Sequence, residues 1–228
     1  ATLARDHAAM TRIAGEFQAL IRDTIAARIA AGATPDTDVA VALTRERVGG
    51  RLLNEDEITS ILRNWTVGEI GTIAASVGIL AEYLARERGA QDRLRADPAL
   101  AGPAADEILR LHGPLVTNRR VTARPVRIGD RDLALGARVT VNWVAANRDP
   151  RVFEDPDAFR LDRDPADNLL YGAGSHVCPG AALARMELRV VLEELLGRTS
   201  AIVPDPDRPA PPASYPASGF QSLHLRIT

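Results

Sequence analysis

One long helical pattern constrains the fold of this chain more than any other feature. Asn54 followed by Glu57 has the spacing of a helical capping box, and apolar residues at helical spacing continue from there to about residue 88. The middle of the segment is apolar on nearly every face, which is typical of a helix that crosses a protein core. We therefore predict a long central helix over residues 54–88.

Shorter elements surround this helix. Apolar periodicity predicts further helices over residues 3–31, 38–47, 90–96 and 103–111, so residues 1–111 form a helical part. Residues 116–145 contain short alternating stretches separated by glycine turns, including strands over residues 126–128, 133–135 and 139–141 of a small sheet. Residues 146–180 are rich in turn signals, and residues 181–228 contain a helix and a closing strand. We predict a mainly α fold in a single domain spanning residues 1–228.

Composition and charge exclude several classes of function. The chain is 46% hydrophobic and 25% charged, with a net charge of −2, so its charge gives no reason to expect nucleic acid or an anionic membrane as a partner. Residues 1–12 contain charges and do not resemble a signal peptide. No uncharged stretch reaches the length of a bilayer span. We expect a cytoplasmic protein with no membrane partner.

The single cysteine, Cys178, lies in the loop Tyr-Gly-Ala-Gly-Ser-His-Val-Cys-Pro-Gly of residues 171–180. Glycine allows tight turns and close approach of the backbone to a flat ligand. Pro179 suits the first position of the following helix, so we expect Cys178 at a helix N-terminus, where the thiolate is favoured. Such a thiolate is a nucleophile or an axial metal ligand, and the alternative is a buried, inert cysteine.

The spacing aromatic-Gly-x-Gly-x-His-x-Cys-x-Gly resembles the haem-ligand loop of the cytochrome P450 family, in which a cysteine thiolate holds the haem iron. The family usually has Phe at the first position, where this chain has Tyr171. The resemblance implies that Cys178 is the metal ligand. It also implies that Tyr171, Gly172, His176 and Gly180 bind the cofactor, and that residues 146–180 form the meander and this loop.

The central helix carries a second match. Gly68-Glu69-Ile70-Gly71-Thr72 resembles the family signature in which a threonine steers protons to dioxygen, but Gly71 stands where the family has an acid. Glu69 and Thr72 are three residues apart and share a helix face, so an acid is still available beside the threonine. We predict Thr72 and Glu69 as catalytic residues. The alternative is helix packing by small residues with one solvated glutamate.

Glu107 and Arg110 resemble the family's Glu-x-x-Arg pair, which implies a buried structural ion pair that locks the meander against the core. The family often adds an arginine from a Pro-x-Arg-Phe segment. Ala158 occupies that position here, which leaves Arg160 or Arg163 as the substitute.

The resemblance also assigns binding residues outside the loop. Arg120, with Arg119 as a neighbouring alternative, joins His176 in binding the haem propionates. The predicted substrate pocket is lined by Trp65, Gly68, Val116 and Thr117. Trp65 is equally well explained as a core residue.

Taken as a whole, the resemblance implies a bacterial haem-thiolate monooxygenase that uses dioxygen to oxidise a small organic substrate. Its cofactor is haem b, and electrons reach it from NAD(P)H through a ferredoxin or reductase. The match covers only the C-terminal part of the family fold, so we expect a weak haem site, a homo-oligomer that covers the missing part, or a missing complementary piece. One alternative is a non-catalytic, haem-free and self-associating remnant of such an enzyme. Another is a relative that uses peroxide, but the match at Thr72 favours dioxygen as the oxidant.

Overall fold

The structure is a computed structural model that describes residues 6–228. Its contacts divide the chain into two compact units, Ala1–Gly68 and Glu69–Thr228. The predicted start of the first helix at residue 3 lies outside the described residues.

The first unit contains three helices, α1 (His7–Ala30), α2 (Val39–Leu43) and α3 (Glu55–Val67). The predicted capping box at the start of α3 is confirmed. The Asn54 side chain accepts a hydrogen bond from the Glu57 backbone N–H at 2.9 Å, and the Glu57 carboxylate accepts one from the Asn54 N–H at 2.9 Å. Both bonds satisfy N–H groups that a helix start leaves unpaired.

The predicted helix over residues 38–47 is wrong in its second half. The helix ends at Leu43, and β1 (Arg47–Val48) pairs with β2 (Arg51–Leu52) in an antiparallel hairpin. Gly49 and Gly50 connect the strands with φ values of +59° and +82°. A two-residue turn with positive φ at both positions matches the twist of a hairpin, and glycine adopts it without strain.

The long central helix is present, but it is not a single α-helix. A π-helical segment, Gly68–Ile73, separates α3 from α4 (Ala74–Arg86). Such segments occur frequently at functional sites. By length and composition alone, helical residues Glu55–Arg86 could cross a membrane, and 28% of the apolar window is buried within the protein. The longest uncharged stretch of this helix is residues 70–81, shorter than a bilayer span, and the lack of a membrane partner stays a prediction.

The core of the second unit is formed by α4, α5 (Arg88–Ala96), α6 (Ala101–His112) and α8 (Ala181–Gly197). Leu84, Ile108 and Leu192 contribute one fully buried side chain each from α4, α6 and α8. Burial of this kind stabilises a fold by about 1.5–3 kcal/mol per side chain. The core therefore fixes α6, which carries Glu107, against α8, which follows the cysteine loop.

All strands of the second unit lie in two-stranded antiparallel sheets among the described residues. β3 (Thr117–Val121) pairs with β6 (Arg138–Asn142), and β4 (Val126–Ile128) pairs with β5 (Arg131–Leu133). β7 (Ile202–Pro204) pairs with the closing strand β8 (Leu225–Ile227). The predicted strand over residues 133–135 begins two residues earlier, at Arg131, because the Gly129–Asp130 turn is tight. The prediction of a mainly α fold with a long helix and small sheets is confirmed.

Candidate functional site

The loop around Cys178 leaves this residue exposed in the described structure. Cys178 is a free, exposed thiol. Its backbone N–H donates to the Tyr171 carbonyl at 2.8 Å, which closes the loop on itself. Gly172 and Gly174 have φ values of +74° and +67°, a backbone region that other residues adopt only with strain. The local sequence therefore folds into a turn that is closed by its own backbone and that carries an exposed cysteine.

The helix after this loop begins later than expected. α8 starts at Ala181 with Gly180 as its N-cap, so the prediction that Pro179 occupies the first helical position is wrong. Pro179 instead lies in a turn, in which the Ala181 N–H donates to the Cys178 carbonyl at 3.3 Å. Cys178 therefore lies three residues before Ala181, outside the first turn of α8.

Gly180 lies close to one atom of the π-helical segment and one of the cysteine loop. A Cβ atom at this position would lie 3.8 Å from Oε1 of Glu69 and 3.9 Å from Sγ of Cys178. Both distances are ordinary van der Waals contacts. Glu69 and Cys178 therefore both lie beside Gly180.

Trp143 braces the loop from the side of the sheet. It is the first residue of the short helix α7 (Trp143–Ala146), and its indole N–H donates to the Asn118 side chain at 2.6 Å. A Cβ atom at Gly172 would lie 3.9 Å from the Trp143 ring. The indole therefore links β3 to the start of the cysteine loop. Sequence analysis missed Trp143, because nothing in the local pattern relates it to residues 25 or 29 positions away.

Tyr171 is held from the other side by an arginine of α8. The Arg185 guanidinium lies 4.5 Å from the centre of the Tyr171 ring and forms an ion pair with Asp106 of α6 at 2.8 Å. The Tyr171 hydroxyl is buried without a hydrogen-bond partner among the described residues. Burial raises the pKa of Tyr171, so this phenol stays neutral.

Glu107 and Arg110 form a buried ion pair on α6, one helical turn apart. Arg110 donates to both carboxylate oxygens of Glu107, at 2.7 and 2.9 Å, and its side chain is 1% exposed. A further N–H group of the guanidinium donates to the carbonyls of Asn147 at 2.6 Å and Pro156 at 2.9 Å. The pair therefore attaches the irregular segment after α7 to the helical core.

Arg163 provides the third partner that the sequence left open between two arginines. Its Nε donates to the Glu107 carboxylate at 3.0 Å, and its guanidinium lies 5.9 Å from the centre of the Phe153 ring. Arg160 contributes only its backbone N–H to Glu107, at 3.0 Å. Its side chain turns outward to Glu154 and Asp162. Proximity along the chain could not distinguish the two arginines.

The π-helical segment brings Glu69 near the cysteine loop. Glu69 is partly buried, and burial is the largest cause of its raised pKa, followed by repulsion from Glu187 and a hydrogen bond with that residue. Thr72 is exposed three residues later in the same segment. A Cβ atom at Gly71 would have no heavy atom within 4 Å, so open space lies beside this part of the helix.

The C-terminal loop covers two predicted pocket residues. The Val116 N–H donates to the Pro216 carbonyl at 3.0 Å, and the Thr117 and Tyr215 hydroxyl groups form a hydrogen bond of 2.6 Å. Thr117 is buried, whereas Tyr215 is 62% exposed. Tyr215 was missed by sequence analysis, since 98 residues separate it from Thr117. On this side of the second unit, Tyr215 is therefore exposed to solvent and Thr117 is not.

The remaining predicted residues lie apart from these contacts. Arg120 is half-buried on β3 and donates to the Arg119 carbonyl at 2.9 Å, and His176 is exposed in the cysteine loop. Trp65 and Gly68 belong to the first unit, where Trp65 is 45% exposed. Their predicted contribution to a substrate pocket stays a prediction.

The donor set at Cys178 fits a haem better than a bare metal ion. The described residues contain no group of three or more His, Cys, Asp or Glu side chains that could hold a metal. A single exposed thiol with glycines on both sides suits a flat macrocycle that already supplies the other ligands of its iron. Gly172, with a positive φ and a Cβ position only 3.3 Å from the His176 carbonyl oxygen, needs to be glycine for the loop to take this shape.

Comparison with known proteins gives one consistent family. The family model described as Cytochrome P450 matches residues 103–223. The chain is 32% identical over 228 residues to a steroid C26-monooxygenase of Mycolicibacterium smegmatis, covering 98% of this chain and 56% of that protein. It is 33% identical over 168 residues to the cyclomarin C epoxidase of Salinispora arenicola, covering 74% and 42%. The chain thus spans about half the length of these relatives.

Solved structures agree with this. The hydroxylase HmtN of himastatin biosynthesis superimposes with a TM-score of 0.85 and 30% identity, covering 96% of this chain and 60% of that chain. CYP109E1 from Bacillus megaterium in complex with corticosterone superimposes with a TM-score of 0.88, covering 99% and 60%. At 24% identity, the second match concerns the fold alone.

Proposed function

The chain belongs to the cytochrome P450 family, and on this premise we propose that it is the C-terminal part of a bacterial haem-thiolate monooxygenase. The observation that carries the proposal is the single free thiol of Cys178, exposed in a glycine-rich turn. The names of two relatives, a steroid monooxygenase and a cyclomarin epoxidase, support oxygen transfer to a small organic substrate.

The residues of the cysteine loop would hold haem b. Cys178 would supply the thiolate ligand, while Gly172 and Gly180 allow the backbone to approach the macrocycle. The side chains of His176 and Arg120 carry N–H groups that would donate hydrogen bonds to the two haem propionates. When bound, the haem supplies the iron centre at which dioxygen is activated.

The π-helical segment, Gly68–Ile73, would deliver protons for the reaction. Burial raises the pKa of Glu69, which favours its protonated form relative to an ordinary glutamate. Thr72 shares its helix face and would orient water or receive the proton at its hydroxyl group. The open space beside Gly71 leaves room for a small reactant.

Electrons would come from NAD(P)H through a ferredoxin or reductase, and the substrate pocket would include Val116 and Thr117. A peroxide-using reaction is disfavoured by the threonine at position 72. The cytoplasmic location, and the lack of membrane and nucleic-acid partners, stay predictions.

A second candidate function is a non-catalytic, haem-free remnant that associates with itself. Several large apolar side chains favour it, because they are strongly exposed in the described part of the second unit: Ile70 at 70%, Leu135 at 67% and Val177 at 53%. A homo-oligomer would cover apolar side chains that stay exposed in the single chain.

Titration of the 228-residue chain with haemin separates the two functions. We expect the Soret absorption band to grow until one haem is bound per chain. His176→Ala and Arg120→Ala should bind haem more weakly. Arg127→Ala is the matched control, because Arg127 lies in the exposed β4–β5 hairpin and should leave binding unchanged. Absence of saturable binding would favour the remnant.

A further inference from the structure

Residues 117–142 form one antiparallel arm, which we call the arginine arm. The β3–β6 pair makes up its first half and the β4–β5 pair its second half. Thr122 joins the two pairs, because its N–H donates to the Ala137 carbonyl at 3.0 Å and its carbonyl accepts from the Gly136 N–H at 2.9 Å. The Thr122 hydroxyl also donates to the Ala134 carbonyl at 2.6 Å. The pairing therefore continues from one half of the arm to the other.

The arm is strongly basic in a chain that is slightly acidic. It contains six arginines and two aspartates, whereas the whole chain has a net charge of −2. Arg127 lies 3.7 Å from Asp132, and Arg120 donates to the Arg119 carbonyl. In the part of the chain that the structure describes, the other four arginine side chains form neither ion pairs nor hydrogen bonds, and all four residues are exposed: Arg119, Arg124, Arg131 and Arg138.

The strand register places two of these arginines on one face. In the β3–β6 pairing, Arg119 is opposite Thr140 and Val121 is opposite Arg138. Opposite residues share a face and successive residues alternate, so Arg119 and Arg138 are diagonal neighbours on the same face. Such neighbours are about 7–8 Å apart, a distance at which like charges repel each other. A carboxylate from outside the arm would remove this repulsion.

The same alternation separates Arg119 from the candidate haem site. Asn118 and Arg120 share the face on which the Trp143 indole donates to the Asn118 side chain at 2.6 Å. Trp143 in turn lies beside Gly172 at the start of the cysteine loop. Arg119 lies on the opposite face of β3, so its charge is available for a contact outside that site.

A second segment of the same chain has the complementary charge. Residues 154–167, which we call the acidic segment, contain six acidic residues and two arginines. Asp155, Asp164 and Asp167 are exposed, and none of them forms an ion pair with a described residue. Within the described chain, no arginine of the arm forms an ion pair with this segment. One molecule therefore carries two complementary surfaces that it does not join itself.

A cavity of about 350 Å³ beside the acidic segment has room for an arginine side chain. The charged part of its lining consists of Asp106, Glu107, Arg110, Arg160, Arg163 and Asp164. Each of these side chains except Asp164 has an ion-pair partner among the described residues. A guanidinium group that enters the cavity would therefore gain a carboxylate partner in Asp164.

We propose that the arginine arm of one copy of this chain binds the acidic segment of a second copy. A second copy is favoured over other anionic partners, because both surfaces are on one chain and carry equal and opposite net charge. The proposal rests on the proposed self-association of the chain and not on its oxidation chemistry. It differs from association through apolar side chains, since salt weakens contacts between exposed charges.

Sedimentation velocity of the 228-residue chain without haem tests the ionic contact. The screening length is about 30 Å in about 0.01 M sodium chloride and about 3 Å in about 1 M. We expect association at low salt, with a dissociation constant that rises by about tenfold or more at high salt. Association that is equally strong at both salt concentrations would overturn the arm contact and leave an apolar homo-oligomer standing. A chain that is monomeric in both would overturn the arm contact and the homo-oligomer together.

Charge reversal tests which surfaces meet. Arg119→Glu combined with Arg138→Glu should abolish association at low salt, and so should Asp164→Arg combined with Asp167→Arg. An equimolar mixture of the two double variants should associate again, because the reversed arm of one fits the reversed segment of the other. Recovery in the mixture requires folded proteins, so it excludes misfolding as the cause of the loss.

The matched control is Arg45→Glu combined with Arg63→Glu. Both arginines are exposed in the first unit, and the charge change equals that of the arm variant. The control should associate like the parent chain. Where urea denaturation shows that a double variant is unfolded, Arg138→Glu and Asp167→Arg as single variants replace the double variants in the mixture. Loss of association in the control, or no recovery in a mixture of folded variants, would overturn the proposed contact.

Discussion

Two regions of the second unit are built in opposite ways. The Glu107–Arg110–Arg163 network is buried, and each of its charges has a partner within 3.0 Å. The Cys178 loop is exposed, and its backbone geometry depends on glycines with positive φ. Both regions were recognisable as short motifs in the sequence.

The difference shows that one short sequence motif can serve the stability of the fold while another serves ligand binding. A buried charge that loses its partner is very costly, so the loss of one member of the network should destabilise the fold strongly. The cysteine loop leaves its reactive group unburied, so its substitution should affect ligand binding and leave folding nearly unchanged. The predictions below test this division, beginning with the largest expected effect.

Replacing Arg110 should damage the fold most. Arg110→Leu leaves the Glu107 carboxylate without its bidentate partner and frees the carbonyls of Asn147 and Pro156. We expect a loss of about 3–5 kcal/mol in the free energy of unfolding, measured by urea denaturation. Arg189→Leu, which breaks an exposed pair with Glu193, should lose less than about 1 kcal/mol. Equal losses in the two variants would remove the distinction between buried and exposed pairs.

Arg163 and Arg160 should differ, although they are three residues apart. Arg163→Ala removes a side-chain hydrogen bond to a buried carboxylate and should cost about 1.5–3 kcal/mol. Arg160→Ala keeps the backbone N–H that reaches Glu107 and loses only outward pairs, so its cost should stay below about 1 kcal/mol. Urea denaturation of both variants checks the order, and a larger loss for Arg160→Ala would contradict it.

Trp143→Phe should lower stability slightly and weaken the hold of the cysteine loop on haem. The substitution keeps an aromatic ring beside Gly172 and removes the N–H that donates to Asn118. We expect about 1 kcal/mol of lost stability, from one hydrogen bond, and faster loss of haem from the loaded chain. Val144→Ala, which changes the next residue of α7, serves as the control for haem loss. Identical haem release in all three proteins would mean that the indole does not brace the loop.

The smallest expected effect is a pH dependence of stability due to Glu69. Its pKa is raised above the ordinary value of 4.5 by burial and by Glu187, so the folded state binds this proton more tightly than the unfolded chain. The resulting stabilisation is complete below the ordinary pKa and is lost as pH rises through the raised pKa. Solvent access to the partly buried carboxyl group keeps the effect modest.

Glu69→Gln should therefore flatten the decrease in unfolding free energy with rising pH. Denaturation curves at several pH values above 4.5 measure the slope for the variant and the parent chain. Equal slopes would show that Glu69 titrates normally.

Short-range features of the fold could be predicted from the sequence. The capping box at Asn54 and Glu57 involves residues three apart, so local hydrogen-bonding rules identify it. The glycine-rich loop around Cys178 is equally local, because the positions that need positive φ are glycines. Both depend on interactions within a few residues of one another.

Features that depend on distant contacts could not be predicted. The π-helical segment at Gly68–Ile73 and the start of α8 at Ala181 are small displacements that periodicity does not resolve. The pairing of Thr117 with Tyr215 joins residues 98 positions apart.

The most direct test of the account is the absorption spectrum of the haem-loaded, reduced chain under carbon monoxide, compared with that of Cys178→Ser. A thiolate ligand from Cys178 predicts a strongly red-shifted Soret band in the parent chain and its loss in the variant, with little change in unfolding free energy. A red-shifted band that persists in Cys178→Ser, or a bound haem without that shift in the parent chain, would contradict the assignment.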